Sequence, residues 1–255
     1  MTAKIYHERV GNGPVLVLLH GWGWSSEIWQ PLVPLLSQSY QLVLIDLPGF
    51  GRSPQDLPAY TFAAMAPLLL EIVPEPAIWL GWSLGGTLAF WLALNYPAQV
   101  TRLVTVAATP RFLQAENWPG MAAATLTKFA LEMTTDLEKT LTDFLKLQLR
   151  GAHDYAEIFQ GLHNKLFSIP PNPVALLGGL ELLRSTDLRA SVPALHCPSL
   201  HMFGRLDRLV PEQVAAKLQT LIPRSYCEVL PHCGHVPFLT QPELFNKLLR
   251  DFLTA

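Results

Sequence analysis

Charge is scarce in this 255-residue chain, with 15% of residues Asp, Glu, Lys or Arg against about 25% in an average soluble domain. Half of the residues are hydrophobic, so the shortage of charge accompanies ample core material and excludes intrinsic disorder. Neither sign dominates: 18 Lys+Arg against 20 Asp+Glu give a formal net charge of -2, which excludes the strongly basic domain of a nucleic-acid binder. Any charge-guided partner must be met locally. Cysteine is scarcer still. Cys197, Cys227 and Cys233 cannot pair completely and are too few for a disulfide scaffold, so a reducing, cytoplasmic setting is expected. Met1 to Gly13 carries Lys4, Glu8 and Arg9 without an apolar h-region, which reads as neither a signal peptide nor a transit sequence. The length suits one large α/β core carrying an insertion.

One stretch, Pro76 to Val100, has no charged residue at all and by length alone satisfies a membrane span. Gly81, Ser83, Gly85 and Gly86 interrupt it, and glycines there favour a turn over a continuous helix. We read strand, sharp turn and buried helix, with no membrane span. Similar apolar runs at Val15–Leu19, Tyr40–Ile45, Leu103–Ala107, Ser199–Phe203 and Tyr226–Leu230, with Ala77–Leu80 inside the uncharged stretch, read as strands buried on both faces. Helices are expected from a Ser26 cap through Ile28 and Leu32, from Thr61 through Met65 and Leu69, and over Leu84–Tyr96, Pro211–Leu221 and Glu243–Phe252. Strands alternating with helices imply a mostly parallel central sheet flanked by helices. From Arg111 to Arg189 the periodicity is helical only, notably over Leu126–Thr134, Asp136–Arg150 and Tyr155–Phe167. The expected organisation is therefore a core of residues 1–110 and 190–255 with an inserted helical cap over 111–189, bent at the Pro170, Pro171 and Pro173 cluster.

Chemistry concentrates at the ends of the predicted strands. Gly81-Trp82-Ser83-Leu84-Gly85 is a G-x-S-x-G between a strand and a helix, the context of a strained turn that exposes a serine nucleophile. A serine hydroxyl needs a base, and the base needs an orienting acid. Asp207 and His235 each follow a strand and complete the chain order Ser, Asp, His. His235 is expected as general base and then acid, with Asp207 holding its tautomer. His232 competes as base but reads as a solvated loop histidine. Asp46 reads as a brace for the Pro48–Gly51 turn, and His20 as a histidine bonded to backbone in its own turn. Two backbone N–H groups, of Trp22 and Leu84, are expected to form the oxyanion hole. No His-x-x-x-His or Cys-x-x-Cys spacing occurs, and Gly49-Phe50-Gly51 lacks the rest of a nucleotide fingerprint, so neither metal nor cofactor is expected.

These motifs resemble the α/β-hydrolase superfamily across the whole chain. His20–Gly23, Asp46–Ser53, Ile78–Gly86, Asn117-Trp118-Pro119-Gly120 and Gly178–Leu183 further resemble the biotin-pathway carboxylesterases that act on pimeloyl-carrier-protein methyl ester. The triad motifs are widely shared among hydrolases, whereas Trp82, the Trp-Pro-Gly segment and the Gly-Gly-Leu-Glu segment are more discriminating. The resemblance implies removal of the methyl group from the carrier-bound ester, with Phe144, Leu145, Lys146, Leu147 and Gln148 lining the acyl channel beside Trp22, Ser83, Leu84 and His235.

Read from the residues alone, the helix over Asp136–Arg150 is compatible. Leu137, Leu141, Phe144 and Gln148 share one face, while Lys139, Lys146 and Arg150 share the other, interrupted by Asp143. The basic face, with Lys165, can receive an acidic acyl carrier protein, or it is simply solvated. A monomeric carboxylic ester hydrolase is the leading expectation. A general short-chain carboxylesterase or C–C bond hydrolase on the same triad is the alternative, and a hydrolase-fold ligand-binding protein with negligible turnover is the alternative of another class.

Overall fold

The long apolar runs become the centre of a parallel sheet. In the computed structural model, which describes residues 5–54, 57 and 59–255, the strands are His7–Val10 (β1), Val15–Leu19 (β2), Gln41–Ile45 (β3), Ala77–Trp82 (β4), Val100–Val106 (β5), Ser199–Gly204 (β6) and Tyr226–Leu230 (β7). Among the described residues they form one seven-stranded sheet in the order β1-β3-β2-β4-β5-β6-β7. All pairings are parallel except β1 on β3. Within the N-terminal segment read from Met1 to Gly13, Met1–Lys4 lie outside the described residues. The edge strand β1 was not expected from sequence. It is four residues long, pairs on one side only and carries Glu8 and Arg9, so it lacks the apolar run that marks the central strands.

The helices are Val33–Leu36 (α1), Phe62–Ile72 (α2), Leu84–Asn95 (α3), Ala123–Thr135 (α4), Leu137–Gln148 (α5), Tyr155–Ser168 (α6), Pro173–Ser185 (α7), Gln213–Leu221 (α8), Pro237–Thr240 (α9) and Pro242–Thr254 (α10). Every position of β4 is buried, as are nine of the twelve in α3. The uncharged stretch is therefore the centre of the molecule, and no single helix among the described residues is long and apolar enough to cross a membrane. Thr61 caps α2 through its side chain as expected. Ser26 does not cap a helix. It begins a 3₁₀ turn, Ser26–Leu32, whose capping position is Ser25, and the Ser26 N–H donates to Asp46 Oδ1 at 2.7 Å. Pro31 lies inside this segment and has no N–H to contribute to an α-helical ladder.

Helices α4 to α7 all fall between β5 and β6. Arg111 and Asp187 tie the two ends of this insertion together at 2.7 Å. Helices α6 and α7 meet at 117°, with Pro170 and Pro171 in the break and Pro173 opening α7, where a missing N–H is tolerated. The Asn172 side chain caps α7 by accepting from the Val174 N–H. A separate α7 was not singled out from sequence because Gly178 and Gly179 weaken its helical signal. The reason for them is tertiary: a Cβ on Gly178 would meet the Tyr60 ring at 2.5 Å, and one on Gly179 the Trp22 indole at 2.6 Å.

Candidate active site

Ser83 sits between the last residue of β4 and the first of α3, at φ 53° and ψ -119°. A non-glycine residue held in such a sparse region costs about 1–3 kcal/mol. The strain turns the chain sharply enough for β4 and α3 to approach closely. A Cβ on Gly81 would lie 2.2 Å from the Gly85 carbonyl oxygen, and one on Gly85 would lie 2.4 Å from that of His20. Glycine at these two positions is therefore a steric requirement of the turn.

The loops after β6 and β7 bring Asp207 and His235 together. His235 Nδ1 donates to Asp207 Oδ2 at 2.7 Å, with both side chains buried. The other carboxylate oxygen accepts the N–H groups of Leu209 at 2.8 Å and Val210 at 3.1 Å, so the acid is held from both sides. With its proton on Nδ1, the imidazole presents Nε2 as an acceptor. That buried nitrogen has no protein partner among the described residues, Ser83 Oγ included. Hydrogen bonds between nucleophile and base are commonly completed only when substrate is bound.

The backbone of His235 is clamped as well. Its N–H donates to the Gln148 carbonyl at the end of α5 at 3.0 Å, and its carbonyl accepts from Trp82 Nε1 at 2.7 Å. The Trp82 ring also packs against the imidazole, with centroids 5.6 Å apart. Trp82 thus links the serine turn to the histidine loop, a role its sequence position did not reveal. His232 is exposed, in the left-handed region at φ 58°, and is not in the Asp207–His235 pair.

The turn after β2 faces the serine. A Cβ on Gly21 would lie 3.1 Å from Ser83 Cβ, so the turn carrying the Trp22 N–H and the helix start carrying the Leu84 N–H converge on Ser83. Neither N–H donates to a protein acceptor among the described residues. His20 holds this turn: its Nδ1 donates to the Gly21 carbonyl at 2.8 Å, and its Nε2 accepts the Leu47 N–H at 2.9 Å. Burial pushes its pKa down, in keeping with the neutral ring these two bonds require. Asp46 takes both the Ser26 and Arg52 N–H groups, and its carbonyl accepts from Ser53 Oγ, which ties down the loop from Asp46 to Ser53.

Trp22 joins the insertion to this turn. Its Nε1 donates to the Leu176 carbonyl in α7 at 2.9 Å, and its ring forms a triangle with Phe129 of α4 and Phe144 of α5, all three centroid separations lying between 5.2 and 5.5 Å. Phe129 and Phe144 also line a cavity of about 510 Å³ between α4 and α5, together with Leu131, Leu147 and Leu209 and, among its charged residues, Lys128, Glu132, Asp136, Lys139 and Asp143. Neither Ser83 nor Trp22 lines it.

Within the segment expected to form the acyl channel, Phe144 and Leu147 line this cavity. Leu145 and Gln148 are buried, and Lys146 is exposed. The four cations of the expected carrier face have different immediate surroundings. Lys139 and Lys146 bond the two oxygens of Asp143 at 2.7 and 2.8 Å, holding its carboxyl down to about 2. Lys165 lines a crevice with Gly23 and Glu27, while Arg150 lines a cleft with Arg205 and Arg208.

The profile of a family described as the alpha/beta hydrolase fold matches residues 14–242. The chain is 41% identical over 254 residues to the pimeloyl-[acyl-carrier protein] methyl ester esterase of Photobacterium profundum, covering 99% of this chain and 100% of the relative. It is 40% identical to the esterase of the same name from Vibrio vulnificus, with 99% of each chain covered. Among solved structures, an esterase from Exiguobacterium antarcticum superposes with a TM-score of 0.91 at 26% identity, covering 99% of this chain and 96% of its own. The family match and the full-length relatives show that this chain is a carboxylic ester hydrolase belonging to the α/β hydrolase fold family and, within it, to the family of pimeloyl-[acyl-carrier protein] methyl ester esterases.

Proposed function

We propose that the protein hydrolyses the methyl ester of pimeloyl-[acyl-carrier protein], with Ser83 as nucleophile, His235 as proton carrier and Asp207 as the group that orients it. The observation that carries this reading is the buried 2.7 Å Asp207–His235 bond beside a serine strained at φ 53°, in a chain 41% identical end to end to an esterase of that name. Ser83 Oγ attacks the ester carbonyl as His235 Nε2 takes its proton, and the resulting oxyanion lies against the Trp22 and Leu84 N–H groups. Collapse breaks the bond to methoxide, which leaves as methanol with the proton from His235. Water, deprotonated by the same nitrogen, then attacks the acyl-serine, and pimeloyl-[acyl-carrier protein] is released with its terminal carboxylate free. Only the chain and water take part.

The insertion over 111–189 serves as the cap over this site, and the chain works as a cytoplasmic monomer. The cavity beside Phe144 and Leu147 suits the apolar acyl chain. Turnover of pimeloyl-[acyl-carrier protein] methyl ester, followed as methanol released, tests the proposal. The wild type releases stoichiometric methanol and restores biotin-free growth to a host lacking this step, while Ser83→Ala does neither. A wild type that hydrolyses p-nitrophenyl butyrate but leaves the carrier-bound ester intact refutes the substrate, and equal p-nitrophenyl butyrate rates in wild type and Ser83→Ala refute the nucleophile.

A further inference from the structure

The cations along α5 are largely committed within the helix, since Lys139 and Lys146 both hold Asp143. The concentration of uncommitted positive charge lies just beyond the helix. There, a recess of about 340 Å³ has Arg150 on one side and the loop after β6, with Arg205 and Arg208, on the other. All three arginines are exposed. Arg205 lies 3.7 Å from Glu212, beyond hydrogen-bond range. Arg150 and Arg208 have no carboxylate partner among the described residues. Asp207 also borders the recess, but its oxygens are turned to His235 and to two backbone N–H groups. Three guanidinium groups against Asp207 and Glu212 leave a formal surplus of one positive charge. Glu212, the other acid of the recess, faces Arg205 and forms no ion pair with Arg150 or Arg208.

This recess and the cavity beside Phe144 are lined from the same two segments. Helix α5 turns Phe144 and Leu147 toward the cavity, and the chain three residues further on turns Arg150 toward the recess. The loop after β6 turns Leu209 toward the cavity and Arg208 toward the recess. The two depressions have no lining residue in common but are lined from the same two segments, so an elongated ligand that reaches both places its apolar part against Phe144, Leu147 and Leu209 and its anionic part among the guanidinium groups. A small concave site suits a compact anion. The acidic surface of a folded partner needs a much broader contact, about 800 Å² per side in a standard interface. Guanidinium forks also match the oxygens of a phosphate in paired hydrogen bonds.

We propose that Arg150, Arg205 and Arg208 form an anion site for the phosphodiester of the carrier's phosphopantetheine arm, a reading that rests on the carrier-bound ester proposed above. The phosphate then lies at the recess, and the arm leads from it toward the ester at Ser83. Two measurements test it. The first compares kcat/KM for pimeloyl methyl ester thioesters of 4′-phosphopantetheine and of pantetheine, which lacks the phosphate. The wild type favours the phosphorylated thioester by about 10-fold or more, and added salt erodes the preference. In Arg150→Ala/Arg208→Ala the ratio falls to near one. A wild-type ratio near one, or a ratio that survives the double substitution, overturns the proposal. A loss seen only with intact carrier protein also overturns it, because the arginines would then read the carrier's own surface.

The second measurement needs no turnover. Calorimetry with free 4′-phosphopantetheine and with pantetheine reads the recess directly, and the double substitution abolishes the difference between the two. If that difference is present while the methyl ester is not hydrolysed, the anion site stands and the substrate assignment alone fails. If the two ligands bind the wild type equally, the anion site fails whatever the substrate.

Discussion

Replacing Trp82 by Phe tests how the general base is held. The indole is fully buried, donates to the His235 carbonyl at 2.7 Å and packs against Phe238 and Trp24 at centroid separations of 5.5 and 6.2 Å. Phenylalanine keeps part of this packing and removes the donor. Leaving the buried carbonyl unpaired costs about 1–3 kcal/mol, and the smaller ring adds a cavity term of about 1 kcal/mol. The melting temperature should then fall by roughly 5–15 °C. The His235 backbone keeps its N–H bond to Gln148 but loses the bond at its carbonyl, and a base displaced by about 1 Å loses on the order of 100-fold in rate. We expect kcat for p-nitrophenyl butyrate to drop between about 10- and 100-fold, with KM changed far less. Trp29→Phe is the matched control: that indole is also fully buried and packs against Phe238 at 4.6 Å, but its N–H has no partner among the described residues. It should destabilise through packing while leaving kcat near wild type. A Trp82→Phe enzyme that melts early yet turns over within about twofold of wild type would refute the positioning argument.

Asp207→Asn should lower kcat by about 10³- to 10⁴-fold with the fold intact by circular dichroism, because an amide does not stabilise the imidazolium or enforce the Nδ1–H tautomer; a loss below tenfold would remove Asp207 from the reaction. Gly85→Ala should abolish soluble expression or cost several kcal/mol in urea unfolding, since its methyl meets two backbone carbonyls, of His20 at 2.4 Å and Leu19 at 2.5 Å; near-wild-type stability would contradict the packed turn. Phe144→Ala removes one ring of the aromatic triangle and should raise kcat/KM for longer or branched p-nitrophenyl acyl esters relative to the butyrate, with an unchanged chain-length profile counting against the cavity as the acyl site. His201, buried between Thr105 Oγ1 at 2.8 Å and Ser199 Oγ at 3.2 Å, has its pKa pushed down to about 3 by burial. An unfolded histidine titrates near 6.5, so below that pH the unfolded chain binds the extra proton and stability declines until about pH 3. Between pH 7 and pH 5, urea unfolding of the wild type should therefore lose about 2 kcal/mol more than His201→Gln; parallel losses would show that His201 does not titrate on unfolding.

The central strands were legible because parallel strands covered on both faces must be apolar throughout, and Val15–Leu19 and Tyr226–Leu230 appear with the predicted bounds. Strand β1 was not legible, since an edge strand needs no apolar run and Glu8 and Arg9 make their ion pairs with Arg52 and Glu75 at its margin. Helix α7 was hidden by two glycines whose purpose is to admit Tyr60 and Trp22, residues more than a hundred positions away. Ser26 shows the opposite error: its residue type suits a cap, but the Asp46 carboxylate recruits its backbone instead.

Local spacing and strand-end position by themselves determined Ser83, Asp207 and His235 as the candidate triad, together with the alternation that makes the sheet, because a strained turn and buried strands leave marks on neighbouring residues. Only the tertiary structure decided what holds the base and where charge is available. Trp82 reaches the His235 carbonyl across 153 positions, Asp143 draws off the two lysines that the helical pattern had counted as free, and Arg150 finds Arg205 and Arg208 on a loop far along the chain. Helical periodicity assigns a residue to a face, but hydrogen bonds and ion pairs between distant segments depend on which loops the sheet brings side by side.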